Sequence, residues 1–128
     1  MKDLKLNLKA SPAKLFSNLL QAKVQGHILH LQTTSYAQHM ALGSFYEGID
    51  SLVDSLIEEY QGKYGIVKSY SLPTGLSSDP CIYIKDLRSL VQTARYTELK
   101  QADTNLQNTV DEIISLIDST LYKLENLK

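Results

Sequence analysis

Residues 36–61, YAQHMALGSFYEGIDSLVDSLIEEYQ, decide the architecture. Leu42, Phe45, Tyr46, Ile49, Leu52, Val53, Leu56, Ile57 and Tyr60 recur at steps of three and four residues, the spacing of one apolar helix face. The preceding Gln32-Thr33-Thr34-Ser35 reads as a polar connection, with Thr34 or Ser35 capping this helix. Gly62 and Gly65 are expected to stop it after about Gln61.

Working outward, Ser11-Pro12 predicts a helix start, with Ser11 as cap and Pro12 in the first helical position. Leu15, Phe16, Leu19, Leu20, Val24, Ile28 and Leu31 follow at helical spacing and predict an inward face running to about Leu31. Downstream, residues 66–78 carry Pro73, Gly75 and several serines, which predicts a long connection. Asp79-Pro80 restarts a helix to about Tyr96, with Leu87, Leu90, Val91 and Ala94 inward. Asp103 or Thr104 should cap a last helix carrying Leu106, Val110, Ile113, Ile114, Ile117, Leu121 and Leu124. Four amphipathic helices with a short first and a long middle connection predict an all-α, ferritin-like four-helix bundle over residues 11–128, preceded by an N-terminal arm, residues 1–10.

The bulk properties narrow the function classes. The chain has 128 residues, 43% of them hydrophobic, in runs that suffice for one core and are too broken for a membrane span. Met1 to Lys9 alternates charged and apolar residues and lacks the apolar stretch of a signal peptide. The single cysteine, Cys81, cannot form an internal disulfide, which points to a reducing, cytoplasmic setting. A formal charge of −1 gives no general attraction to nucleic acid. Lys2, Lys5 and Lys9 read as an ordinary solvated start, so DNA binding is expected to be weak or absent. No phosphate-binding glycine loop, paired-cysteine motif or nucleophile elbow is present. Cys81 sits near a helix start, which can lower a thiol pKa, but a packing role is the expected one. The eight tyrosines read mostly as core or rim residues.

The helix at 36–61 is chemically unusual. No lysine or arginine occurs between Lys23 and Lys63, whereas Glu47, Asp50, Asp54, Glu58 and Glu59 do. An exposed helix ordinarily intersperses opposite charges. At about 100° per residue, His39, Gly43, Glu47, Asp50, Asp54 and Glu58 fall together on the flank of the apolar face. Ser44, Gly48, Ser51 and Ser55 lie beyond them, where small side chains would let another helix approach. Carboxylates beside such a surface are what a metal site between helices would use; the plainer reading is a solvated face.

His27, His30 and His39 are the only histidines, all near the start of this acidic helix. Single helical histidines are usually packed or capping residues, the expected role of His30. Imidazole and carboxylate together suit iron, zinc or manganese. His39 and Asp54 are separated by roughly 22 Å along one helix, too far to share a metal. Such a site closes only if two copies of the helix pack antiparallel, the histidine end of one beside the Asp54/Glu58 end of the other.

The spacing of His27, His39, Asp54 and Glu58 resembles the ferroxidase centre of the Dps mini-ferritins, with Tyr46 where that family often has an aromatic. The resemblance implies that His27 and His39 of one subunit and Asp54 and Glu58 of its twofold partner ligate iron. It also implies a spherical homo-oligomer of such dimers, as large as a dodecamer, that oxidises ferrous iron with peroxide or oxygen for storage and protection. Gly43 stands where the family has a further carboxylate, with Glu47 or Asp50 as substitutes on the same flank, and Ile28 replaces an aromatic. The compact length and divergent motif are also similar in style to ferritin-like proteins of large phages, and these resemblances imply the cytoplasm of a bacterial cell or phage-infected host. An ordinary ferritin site needs a histidine on the last helix and none follows His39. The alternative expectation is a non-enzymatic, possibly viral, bundle acting in self-association or partner binding.

Overall fold

The computed structural model describes residues 11–128, so the expected N-terminal arm with Lys2, Lys5 and Lys9 lies outside the described residues. Four helices follow in order: α1 (Ala13–Gln32), α2 (Tyr36–Tyr64), α3 (Pro80–Thr97) and α4 (Thr104–Asn126).

The local chemistry of their ends explains most of these limits. Ser35 caps α2, its hydroxyl accepting the Gln38 N–H at 3.2 Å. Asp79 caps α3 by accepting the Ile82 N–H at 3.0 Å, with Pro80 in the first helical position. At α1 the expected register moves by one residue. Pro12 is the boundary residue and Ser11 Oγ accepts the N–H of Ala13 at 3.2 Å, while the Leu15 N–H is taken by Glu98 from across the bundle at 3.0 Å. Gly62 does not end α2. The helix continues to Tyr64 and stops at Gly65, whose φ of 94° is open to glycine and strained for other residues.

Two contacts define one end of the bundle: Glu98 at the start of α1, and Asp103 with Lys63, joining the start of α4 to the end of α2. The other end gathers Thr33, Gln38 and Pro80 around one small cleft. The helices therefore run up, down, down and up. Each packs on two neighbours in the cyclic order α1, α2, α4, α3, which leaves α2 and α3 parallel on a diagonal. The long connection has to travel the length of the bundle. It does so as a strap along α1, tethered where Ser17 Oγ accepts the Ser71 N–H at 3.0 Å. Gln25 makes the second tether, accepting the Ser77 N–H at 2.7 Å and donating to the Ser77 carbonyl at 3.2 Å. Ser17 and Gln25 are buried for that reason, polar side chains satisfied by backbone that has no ladder partner.

The core is one cluster in which Leu15, Phe16 and Leu19 of α1 meet Leu42, Phe45, Ile49 and Leu56 of α2, Ile84, Leu87 and Val91 of α3, and Leu106, Val110, Ile113 and Ile117 of α4. Gly26 lets α1 and α2 approach closely, since a Cβ there would lie 2.8 Å from Phe45 Cδ2. Arg88–Asp118 and Lys85–Glu125 link α3 to α4 on the outside, and the buried Arg95 reaches Asp111 of α4 at 2.7 Å. Among the described residues no helix is long and apolar enough to cross a membrane.

Part of the expected α1 core faces outward instead. Leu20, Val24 and Leu31 are 41%, 50% and 67% exposed. At 100° per residue they share an arc of roughly 60° with His27. The inward face expected on α1 is therefore split: Leu15, Phe16 and Leu19 pack inside together with Leu29, which the expected face did not include, while Leu20, Val24 and Leu31 stay outside.

Candidate functional site

The three histidines gather where α1 ends and α2 begins. The imidazoles of His30 and His39 stack with ring centres 3.7 Å apart. His27, on the exposed side of α1, stacks on Tyr46 of α2 at 4.2 Å, and His30 lies 5.3 Å from the same tyrosine ring.

Hydrogen bonds fix the chemical state of two of these rings. His30 Nδ1 lies 2.6 Å from the His39 carbonyl oxygen, and His39 Nδ1 lies 2.9 Å from the His30 carbonyl oxygen. A carbonyl can only accept, so each Nδ1 carries the proton. In the neutral form each Nε2 is left as the free lone pair. This is the tautomer that metal-binding histidines adopt when the other nitrogen bonds to a carbonyl.

Gly43 explains how the rings fit. A Cβ at residue 43 would stand 3.1 Å from His30 Cε1, so the absence of a side chain there makes room for the His30 imidazole. The position where the Dps resemblance implies a carboxylate is thus covered by a ring from the neighbouring helix. The sequence signal for His30 was its i+3 relation to His27; what was missing was the knowledge that residue 43 of α2 faces it.

The acidic row of α2 divides by direction. Asp50 is not uncompensated: Lys23 of α1 reaches it at 3.0 Å. Glu59 turns toward α4 and accepts the Thr109 hydroxyl at 2.8 Å. Glu47, Asp54 and Glu58 point to solvent. Asp54 lies one turn before Glu58; the bond that a protonated Glu58 would donate to the Asp54 carboxylate, followed by the Asp54 charge, raises the Glu58 pKa above the ordinary glutamate value. Among the described residues neither forms an ion pair with a lysine, arginine or histidine.

Of the small residues beside this row, one packs within the chain. Gly48 faces α4 of the same chain, where a Cβ would lie 3.2 Å from Leu116 Cδ2. Ser44, Ser51 and Ser55 remain exposed. Within one chain the histidines and the Asp54/Glu58 pair do not converge. Among the described residues no three His, Cys, Asp or Glu side chains are grouped to hold a metal ion.

Cys81 is half-buried against the core, and burial followed by the nearby Asp79 and Glu125 charges pushes its thiol up. That agrees with a packing role and not with an activated nucleophile. Asp103 does not cap α4 with its side chain. Its buried carboxylate takes the Lys63 ammonium and the Tyr64 hydroxyl.

Fold and site together define an all-helical bundle protein with a histidine–tyrosine cluster on the α1–α2 seam and the exposed carboxylates Asp54 and Glu58 farther along α2. The chain belongs to the family of unknown function DUF5856, whose profile matches residues 30–124 and so begins at His30, leaving His27 outside. It is similar to an uncharacterized 14.6 kDa protein in the mobD-ri intergenic region of Enterobacteria phage T4, 29% identical over 108 residues that cover 83% of this chain and 81% of that one. No solved structure matches the chain.

Proposed function

We propose that the chain works as a Dps-like homo-oligomer that binds ferrous iron between subunits. His39 and His27 of one copy would face Asp54 and Glu58 of another, with His30 supplying a nitrogen where Gly43 supplies no oxygen. The observation that carries the reading is the placement of Asp54 and Glu58 one turn apart on the exposed surface of α2. Two carboxylates one turn apart on a solvent-facing helix surface, with no ion pair to a cation among the described residues, repel one another, and a metal ion between them would relieve that repulsion. The His30 and His39 tautomers add nitrogen donors already oriented by their carbonyl partners. The exposed line of Leu20, Val24 and Leu31 beside His27 supplies apolar area for a second copy to cover. The up–down–down–up connectivity with one long crossover is also that of ferritin-like bundles.

In this reading the protein holds ferrous iron for oxidation by peroxide or oxygen, the oxidant being reduced to water. The phage relative makes the cytoplasm of an infected bacterium the natural setting. A second reading, a bundle that self-associates or binds a partner without metal, draws its support from Gly43, where the resemblance requires a carboxylate.

The two separate cleanly. Size-exclusion chromatography with light scattering gives the oligomer, and anaerobic ferrous titration followed by air or peroxide gives the iron stoichiometry and oxidation rate. A large oligomer that oxidises iron, and loses this with His39→Ala or Asp54→Ala, is the expected result. A small assembly indifferent to iron would leave the second reading.

A further inference from the structure

Where α1 begins and α2 ends, a cavity of about 350 Å³ opens among Pro12, Tyr60, Tyr64, Lys68, Lys100 and Asp103. Its volume falls in the range of small-molecule sites. Its lining divides into a flat part and a charged part.

The flat part is aromatic. Tyr60 and Tyr64 stand 4.7 Å apart at a 36° tilt, and Phe16 braces Tyr60 edge-on at 5.5 Å. Rings supported in this way present a stiff face for another ring to stack on.

In the charged part Lys68 and Lys100 outnumber the one acid without a cation partner. Asp103 is paired with Lys63 and takes the Tyr64 hydroxyl, while Glu98 accepts the Leu15 N–H at 3.0 Å and keeps its charge. Lys68 and Lys100 form no ion pair among the described residues. The Lys100 ammonium stands over the Tyr64 ring, 5.6 Å from its centre, so its charge adjoins the aromatic wall. Ammoniums without an ion pair beside a braced tyrosine pair select a ligand with a complementary layout.

We infer that this cavity binds a small anion that carries a flat ring, the ring lying against Tyr60 and Tyr64 and the anionic group reaching Lys68 and Lys100. The class covers aromatic carboxylates and mononucleotides, which share that chemistry. The site is at the opposite end of α2 from the histidines and stands apart from the iron reading.

The test is a titration of the full chain, followed by amide chemical shifts, with adenosine monophosphate and with benzoate. Adenosine and inorganic phosphate serve as half-ligand controls. Saturable shifts at Tyr60, Tyr64 and Lys100 are expected with at least one ring-bearing anion, and whichever binds tells phosphate from carboxylate. The half-ligands should bind at least about tenfold more weakly. The exposed pair Lys68→Gln and Lys100→Gln, checked for an unchanged melting temperature, should weaken binding by about tenfold or more. No saturable shift with either anion, or affinity undiminished in the double variant, overturns the inference.

Discussion

His30 and His39 each donate a ring N–H to the other's main-chain carbonyl, which cross-links α1 to α2 through two imidazoles and two peptide groups. His30→Ala removes one donor and leaves the His39 carbonyl without it. A loss of about 1–3 kcal/mol is expected in urea denaturation. Nitrogen NMR of the wild type near pH 8 should find both rings protonated at Nδ1, and an Nε2–H tautomer at either would contradict the geometry.

Glu58→Gln is expected to raise the melting temperature of the metal-free protein at neutral pH, because it ends a carboxyl–carboxyl repulsion on an exposed surface. The folded-state pKa of Glu58 lies above its ordinary value of 4.5, so its contribution is most favourable below that value and is lost as pH rises through the folded pKa. Differential scanning calorimetry across that window reads the sign. If the iron reading holds, the same variant binds ferrous iron more weakly: a gain in stability with a loss of function.

Asp103 behaves in the opposite sense. Burial alone would raise its pKa, but the hydrogen bonds from Lys63 and Tyr64 outweigh burial and hold it below the ordinary value of 3.8. The resulting stability is present above 3.8 and is lost as pH falls through the lower folded pKa. Asp103→Asn should therefore melt lower than wild type at neutral pH. The gap between the two proteins should narrow on acidification below 3.8.

Gly26→Ala forces a methyl group against the Phe45 ring and should cost about 1–3 kcal/mol with the helical circular-dichroism spectrum retained. Gly62, where an added methyl would meet nothing within 4 Å, should accept alanine without loss. Equal melting temperatures for the two variants would contradict the close α1–α2 approach.

Alkylation of Cys81 by iodoacetamide at pH 8 should be slower than that of a free thiol, since burial and the Asp79 and Glu125 charges disfavour the thiolate. Urea sufficient to unfold the bundle should remove the difference.

Much of the bundle was legible because helix periodicity is a local property. The Ser35 and Asp79 caps, the Asp79-Pro80 restart and the long middle connection all follow from neighbours in sequence. What depended on other helices was not legible. Leu20, Val24 and Leu31 have the spacing of a core stripe, and only the placement of α2 decides that they stay outside. Lys23 lies just beyond the cation-free stretch in sequence, yet folding brings it to Asp50. Asp103 has the position of a cap, and the end of α2 claims its carboxylate instead. At the candidate site the histidines were visible as a group. The roles of His30 and Gly43 depend on one another across two helices.

The strap between Gly65 and Asp79 also dictates an order of assembly. Each antiparallel pair, α1 with α2 and α3 with α4, is closed by a short link and can nucleate from near neighbours, whereas joining the pairs requires the chain to find Ser17 and Gln25 across a long loop. During synthesis the first hairpin leaves the ribosome with its inner face bare and must wait for the second. Pulse-labelled hydrogen exchange during refolding should protect the two hairpins before the amides of Ser71 and Ser77.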